Sequence, residues 1–126
     1  MAASQKIFNG IDTIILRVSD LRASKQWYEK KLGLTTLYAD VDSGLVVLDT
    51  GGATSLTLYQ TSEPIANNAE TASFPIFSTA DAALTRHQLQ QRGVETSELT
   101  VDETVSFFMF YDPDGNLLEA CQVHAG

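Results

Sequence analysis

The sequence predicts an α+β fold assembled from one βαβββ unit used twice, and an internal repeat is what predicts it. Residues 11 to 34, IDTIILRVSDLRASKQWYEKKLGL, are echoed by residues 72 to 94, ASFPIFSTADAALTRHQLQQRGV. With Thr13 laid on Phe74, Asp20 falls on Asp81, and the helix-ending glycines Gly33 and Gly93 match to within one residue. Each copy reads as a strand, a helix and further strands. A chain of 126 residues with 44% hydrophobic content can form the core of a single domain. Module one is expected over about residues 7 to 61, a linker over 62 to 71, and module two over 72 to 123.

Residues 11 to 18 form a β-branched run suited to a strand, and alternation places Thr13, Ile15 and Arg17 on one face. Ser19 or Asp20 can cap the helix that follows, which runs to about Lys31 and stops at the Gly33 region. Leu21, Ser24, Tyr28 and Leu32 lie at helical spacing and should face the sheet. Strands are expected over residues 35 to 40, 44 to 49 and 54 to 60, with Asp42-Ser43-Gly44 and Thr50-Gly51-Gly52 as turns. The segment TSEPIANNAET, residues 61 to 71, is polar and contains Pro64, as a linker should.

In the second copy a strand is expected over residues 73 to 79 and a helix over 81 to 92. Strands near 94 to 99, 105 to 111 and 117 to 123 follow. Asp112-Pro113-Asp114-Gly115-Asn116 joins the last two, because Pro fixes one φ angle while Gly and Asn tolerate positive φ.

Bulk properties exclude several functions. The formal charge of −8 argues against nucleic acid, whose binding needs clustered Lys and Arg. Nowhere is there the run of roughly 18 apolar residues that a membrane span needs, and a cytoplasmic location is the corresponding expectation. The single Cys121 cannot form an internal disulfide and reads as a small buried hydrophobe.

The paired units, the VSDLRASKQWYEKKLGL stretch and the DPDGNLLE ending together resemble the vicinal oxygen chelate superfamily, which includes glyoxalase I, bleomycin-resistance proteins, fosfomycin-resistance proteins and extradiol dioxygenases. The likeness runs from about Ile11 to Val123. It implies two βαβββ modules forming a cup-shaped half-barrel sheet with helices outside, and a homodimer, with or without modules exchanged between chains. Such a fold hosts unrelated activities.

Enzymes of this group hold a divalent metal with side chains from the first and last strand of each unit. Carried over, those positions are Thr13, Thr57, Phe74 and Glu119. Only Glu119 is a competent ligand, and one carboxylate with two neutral hydroxyls does not offset the lost hydration of a hard cation. No cofactor is therefore expected. His87, on the second helix, and His124, on the face opposite Glu119, should not point inward. Glu119 is expected to hydrogen-bond Thr13 or Thr57, or to face cavity water.

Arg17 corresponds to a position where some glyoxalase I enzymes contact a ligand carboxylate. It should either pair with Glu119 or offer its fork to an anionic ligand. Tyr59 and Ser55 share the face of Thr57. Alternation leaves open whether Phe108 and Phe110 or Phe107, Met109 and Tyr111 line the cup, and Phe108 and Phe110 are the candidate ligand-binding residues of this strand. An aromatic floor with a few polar groups suits a small hydrophobic or planar molecule.

Three functions are expected in order. The first is sequestration of such a molecule without metal, as in the bleomycin-resistance branch. The second is a metal-dependent lyase, isomerase or dioxygenase. The third is a metal-free enzyme with Glu119 as general base and Arg17 as electrophile.

Overall fold

A computed structural model describes residues 6–125. Two four-stranded sheets, each with one helix, form an open cup and not a closed barrel. The first unit holds β1 (Thr13–Val18), α1 (Leu21–Leu32), β2 (Thr35–Asp40), β3 (Leu45–Asp49) and β4 (Ser55–Gln60), with sheet order β1-β4-β3-β2. The second holds β5 (Ile76–Ser78), α2 (Ala82–Gln91), β6 (Thr100–Val101), β7 (Val105–Tyr111) and β8 (Leu117–Val123), with order β5-β8-β7-β6. The two units are therefore topological copies. In each, the first strand lies parallel to the last, and the others pair antiparallel.

The caps explain why the helices begin where they do. Asp20 accepts a hydrogen bond from the Ala23 amide at 3.1 Å, and Asp81 does the same for Leu84 at 3.0 Å. A second device, not read from the sequence, repeats in both units. Gln60, at the end of β4, accepts from the first amide of α1 at 2.9 Å, and Gln122 on β8 accepts from Ala82 at 2.9 Å. Each helix is thereby pinned to the last strand of its own sheet. Gly33 ends α1 with φ +73°, a left-handed conformation that favours glycine.

One hydrophobic core runs along the helix side of both sheets. Leu21, Ser24 and Tyr28 are buried as helical spacing predicts, against Val46, Leu48, Leu56 and Leu58. Phe108, Phe110, Leu118 and Ala120 continue it in the second unit beneath Ala82 and Leu89.

Two strand expectations are corrected. The strand expected at 73 to 79 is only Ile76–Ser78, because Pro75 has no amide to donate, although its carbonyl still accepts from Glu119 at 3.1 Å. The strand expected near 94 to 99 is reduced to a bridge between Thr96 and Phe110, with β6 beginning only at Thr100. There the Ser97 hydroxyl takes the hydrogen bond of the Met109 amide at 2.8 Å, a place that a carbonyl fills in a regular ladder.

Candidate functional site in the cup

Register decides which side chains face the cup. In β7 and β8, Met109 lies opposite Glu119, Phe107 opposite Cys121 and Tyr111 opposite Leu117. Directly opposed residues of a pair share a face. The aromatic strand therefore offers Phe107, Met109 and Tyr111 to the cup, all half-buried. Phe108 and Phe110 are 0% and 2% exposed and pack in the core under the helices, with ring centroids 5.9 Å apart. Their expected place in the cup lining is corrected accordingly.

In the first unit, Thr13 pairs with Ser55, Ile15 with Thr57 and Arg17 with Tyr59. These six residues face the cup. Thr13 and Thr57 hydrogen-bond each other through their hydroxyls at 2.7 Å. Ile76 lies beside Glu119 in the second unit, as Ile15 lies beside Thr57 in the first. Phe74, half-buried, precedes β5 by two residues.

Glu119 is 8% exposed, and among the described residues its carboxylate takes part in no hydrogen bond or ion pair. The expected bonds to Thr13 or Thr57 are not made, and the two hydroxyls bond each other instead. Burial pushes the Glu119 carboxyl above the usual carboxylate range. Arg17 does not pair with it either. Its guanidinium stacks 4.8 Å from the centroid of the Tyr59 ring, and among the described residues its side chain makes no hydrogen bond or ion pair.

The donor set does not fit a divalent metal. Of the four carried-over positions, two are hydroxyls bonded to each other, one is a phenyl ring, and one is a lone carboxylate. Among the described residues no three of His, Cys, Asp and Glu come together. His124 bonds Ser106 at 2.7 Å, and Ser106 shares the helix side with Phe108, while His87 is exposed on α2. Cys121, expected as a small buried hydrophobe, is half-buried on the cup face.

Apolar surface remains open in the cup. Ile15 and Ile76 are 53% and 56% exposed, and Tyr59 is 37% exposed. The result is an apolar and aromatic floor carrying one stacked cation and one desolvated carboxylate.

Comparisons agree with this fold. The family model for the Glyoxalase/Bleomycin resistance protein/Dioxygenase superfamily matches residues 10–120. A glyoxylase/bleomycin resistance protein/dioxygenase domain from a Frankia species superposes with a TM-score of 0.77 at 19% identity, over 94% of this chain and 100% of that one. TnmS3, an antibiotic binding protein from a Streptomyces species, gives 0.79 at 22% identity over 95% and 100%. A protein from the mobile metagenome of V. Pseudocholerae gives 0.73 at 29% identity over 97% and 100%. No curated protein matches the chain. The first two likenesses show the fold alone.

Proposed function

The chain belongs to the Glyoxalase/Bleomycin resistance protein/Dioxygenase superfamily, and we propose that within it this protein binds a small hydrophobic or aromatic molecule in the cup without a metal. The observation that carries this reading is the Thr13–Thr57 hydrogen bond, which engages two of the four positions where a metal would need donors. The half-buried Phe107, Met109 and Tyr111 supply a floor for a planar ligand, and Arg17 on Tyr59 can meet an anionic substituent. The antibiotic-binding function of TnmS3 is compatible with such a role. A homodimer belongs to the same proposal, since a second copy would cover the open Ile15 and Ile76.

Titration with anilinonaphthalene sulfonate, an aromatic anion, tests the reading. Saturable binding unchanged by EDTA is expected, with Arg17→Gln weakening it about three- to tenfold through loss of a partly exposed charged contact. Stoichiometric metal in a native mass spectrum, or binding abolished by EDTA, would overturn it.

Glu119 favours a second reading as well. A carboxyl raised by burial and free of hydrogen-bonding neighbours is suited to take a proton from a ligand held at Arg17. Under that reading Glu119→Gln abolishes turnover of a substrate. Under sequestration the same variant changes probe affinity by no more than about threefold.

A further inference from the structure

The two seams between the modules are related by the internal repeat, yet only the first carries a buried turn clamp, and the second is joined at its rim by Lys31 and Arg92. At the first seam the Asp112–Asn116 turn of module two grips module one. The Tyr28 hydroxyl donates to buried Asp112 at 2.7 Å, Asn116 Nδ2 donates to the Arg17 carbonyl at 2.8 Å, and the Ser19 amide donates to Asp114 at 3.0 Å. Register and caps fix the correspondence of the units: Asp81 stands for Asp20, Ile76 for Ile15 and Glu119 for Thr57. It follows that Leu89 stands for Tyr28, Thr50 for Asp112, Ala80 for Ser19, Gly52 for Asp114 and Thr54 for Asn116.

The clamping side chains Tyr28, Asp112, Asp114 and Asn116 are thus replaced at the second seam by Leu89, Thr50, Gly52 and Thr54. Thr50 turns its hydroxyl back to the Thr54 carbonyl at 2.6 Å. A leucine occupies less space than the tyrosine it replaces, and a cavity of about 240 Å³ opens between Leu89 and Thr50. It lies on the helix side, behind the cup. Leu34, Phe77, Leu89, Phe110 and Ala120 form its apolar wall, and a second cavity of about 380 Å³ adjoins it at Thr50, Phe77 and Ser78.

The rim is cationic in an otherwise acidic protein. Lys31 Nζ donates to the Arg92 carbonyl, and Arg92 Nη1 donates to the Lys31 carbonyl at 2.9 Å. These reciprocal bonds hold both heads at the mouth and use one donor of each. None of the residues around the cavity is acidic, and among the described residues neither cation meets a carboxylate.

We infer that this inter-module cavity is a second binding site, separate from the cup, for a small aromatic or short aliphatic carboxylate whose apolar body enters between Leu89 and Phe77 and whose anionic head meets Lys31 and Arg92. The volume suits that class, since an apolar cavity of about 150 Å³ already admits benzene. The charge pattern selects the acid over its neutral analogue.

Methyl NMR with 3-phenylpropionate tests the site. Saturable shifts are expected at Leu32, Leu34 and Leu89, with Ile15 in the cup unmoved. Leu89→Tyr, which restores the ring of the other seam, should weaken binding about tenfold or more by filling the cavity. Lys31→Gln with Arg92→Gln should weaken the acid about fivefold or more while leaving 3-phenylpropanol unaffected. That pair is exposed or half-buried and does not depend on how Leu89→Tyr folds. Shifts confined to Ile15, no saturable shift at the solubility limit, or equal loss of acid and alcohol in the double variant would each overturn the site. Shifts confined to the cup would place the acid there instead, and the other outcomes leave ligand binding in the cup untouched.

Discussion

Replacing Asp112 with Ala is expected to lower stability by about 3 to 4 kcal/mol, because it strips one buried acceptor from several donors at once. Asp112 is 6% exposed. It accepts from the Tyr28 hydroxyl at 2.7 Å, the Asn116 amide at 2.8 Å, Asn116 Nδ2 at 2.9 Å and the Asp114 amide at 3.0 Å. The first of these joins α1 of one module to the last turn of the other, so the loss falls on the contact between modules as well as on the turn. Tyr28→Phe removes one donor and leaves the carboxylate otherwise satisfied, and about 1 kcal/mol is expected for it. Urea denaturation of the two variants checks the ratio. Equal costs would mean that the inter-module bond, and not the turn, carries the contribution of Asp112.

The same residue gives the fold an unusual pH dependence. Burial raises the Asp112 carboxyl above its ordinary range, and the hydrogen bonds from Asn116, Tyr28 and Asp114 only partly oppose this. A group whose folded pKa exceeds its unfolded value stabilises the fold fully below the unfolded value, and that contribution is lost as pH rises through the folded value. Thermal melts from mildly acid to neutral pH should therefore show an Asp112 contribution that declines as pH rises, opposite in sign to that of a salt-bridged aspartate. Asp112→Asn should flatten that slope. The Asp112 carboxylate also raises the Tyr28 phenol, after the larger effect of burial, so Tyr28 stays a hydrogen-bond donor throughout.

Much of the architecture was legible because it is written twice. Asp20 and Asp81, Gly33 and Gly93, and the apolar spacing of Leu21 and Tyr28 are local signals, and local signals repeated in register fix element type and order. Register-dependent features were not legible. VSFFMFY, residues 105 to 111, is apolar on both faces, so its composition gives no parity and only pairing with Glu119 and Cys121 assigns the cup side. The Ser97 hydroxyl that interrupts the strand before β6 acts through tertiary contact with Met109. Chemistry at the former ligand positions was legible as a deficit of donors, yet the Thr13–Thr57 bond that engages two of them needs the parallel register of β1 and β4. The Tyr28–Asp112 clamp joins residues 84 apart in sequence and leaves no local trace.

The two neighbouring phenylalanines of β7 should separate folding from binding. Phe108→Ala is expected to cost about 3 to 5 kcal/mol, since a ring that is fully buried leaves a cavity that its surroundings fill only in part. Its neighbours resist collapse: Phe110 is itself wedged against Phe77 at a centroid distance of 6.1 Å, and Leu118 and Ala120 are held by the β7–β8 ladder. Phe107→Ala removes a half-buried ring that faces the cup opposite Cys121, and its cost to stability should stay near 1 kcal/mol. Binding of anilinonaphthalene sulfonate should reverse the order, with about tenfold loss for Phe107→Ala through lost aromatic contact and no more than about threefold for Phe108→Ala while the variant remains folded. Calorimetric melts and probe titration on the same two proteins give four numbers. If Phe108→Ala carried the binding loss and Phe107→Ala the stability loss, the assignment of this strand's faces would be wrong, and with it the aromatic floor on which the cup's function rests.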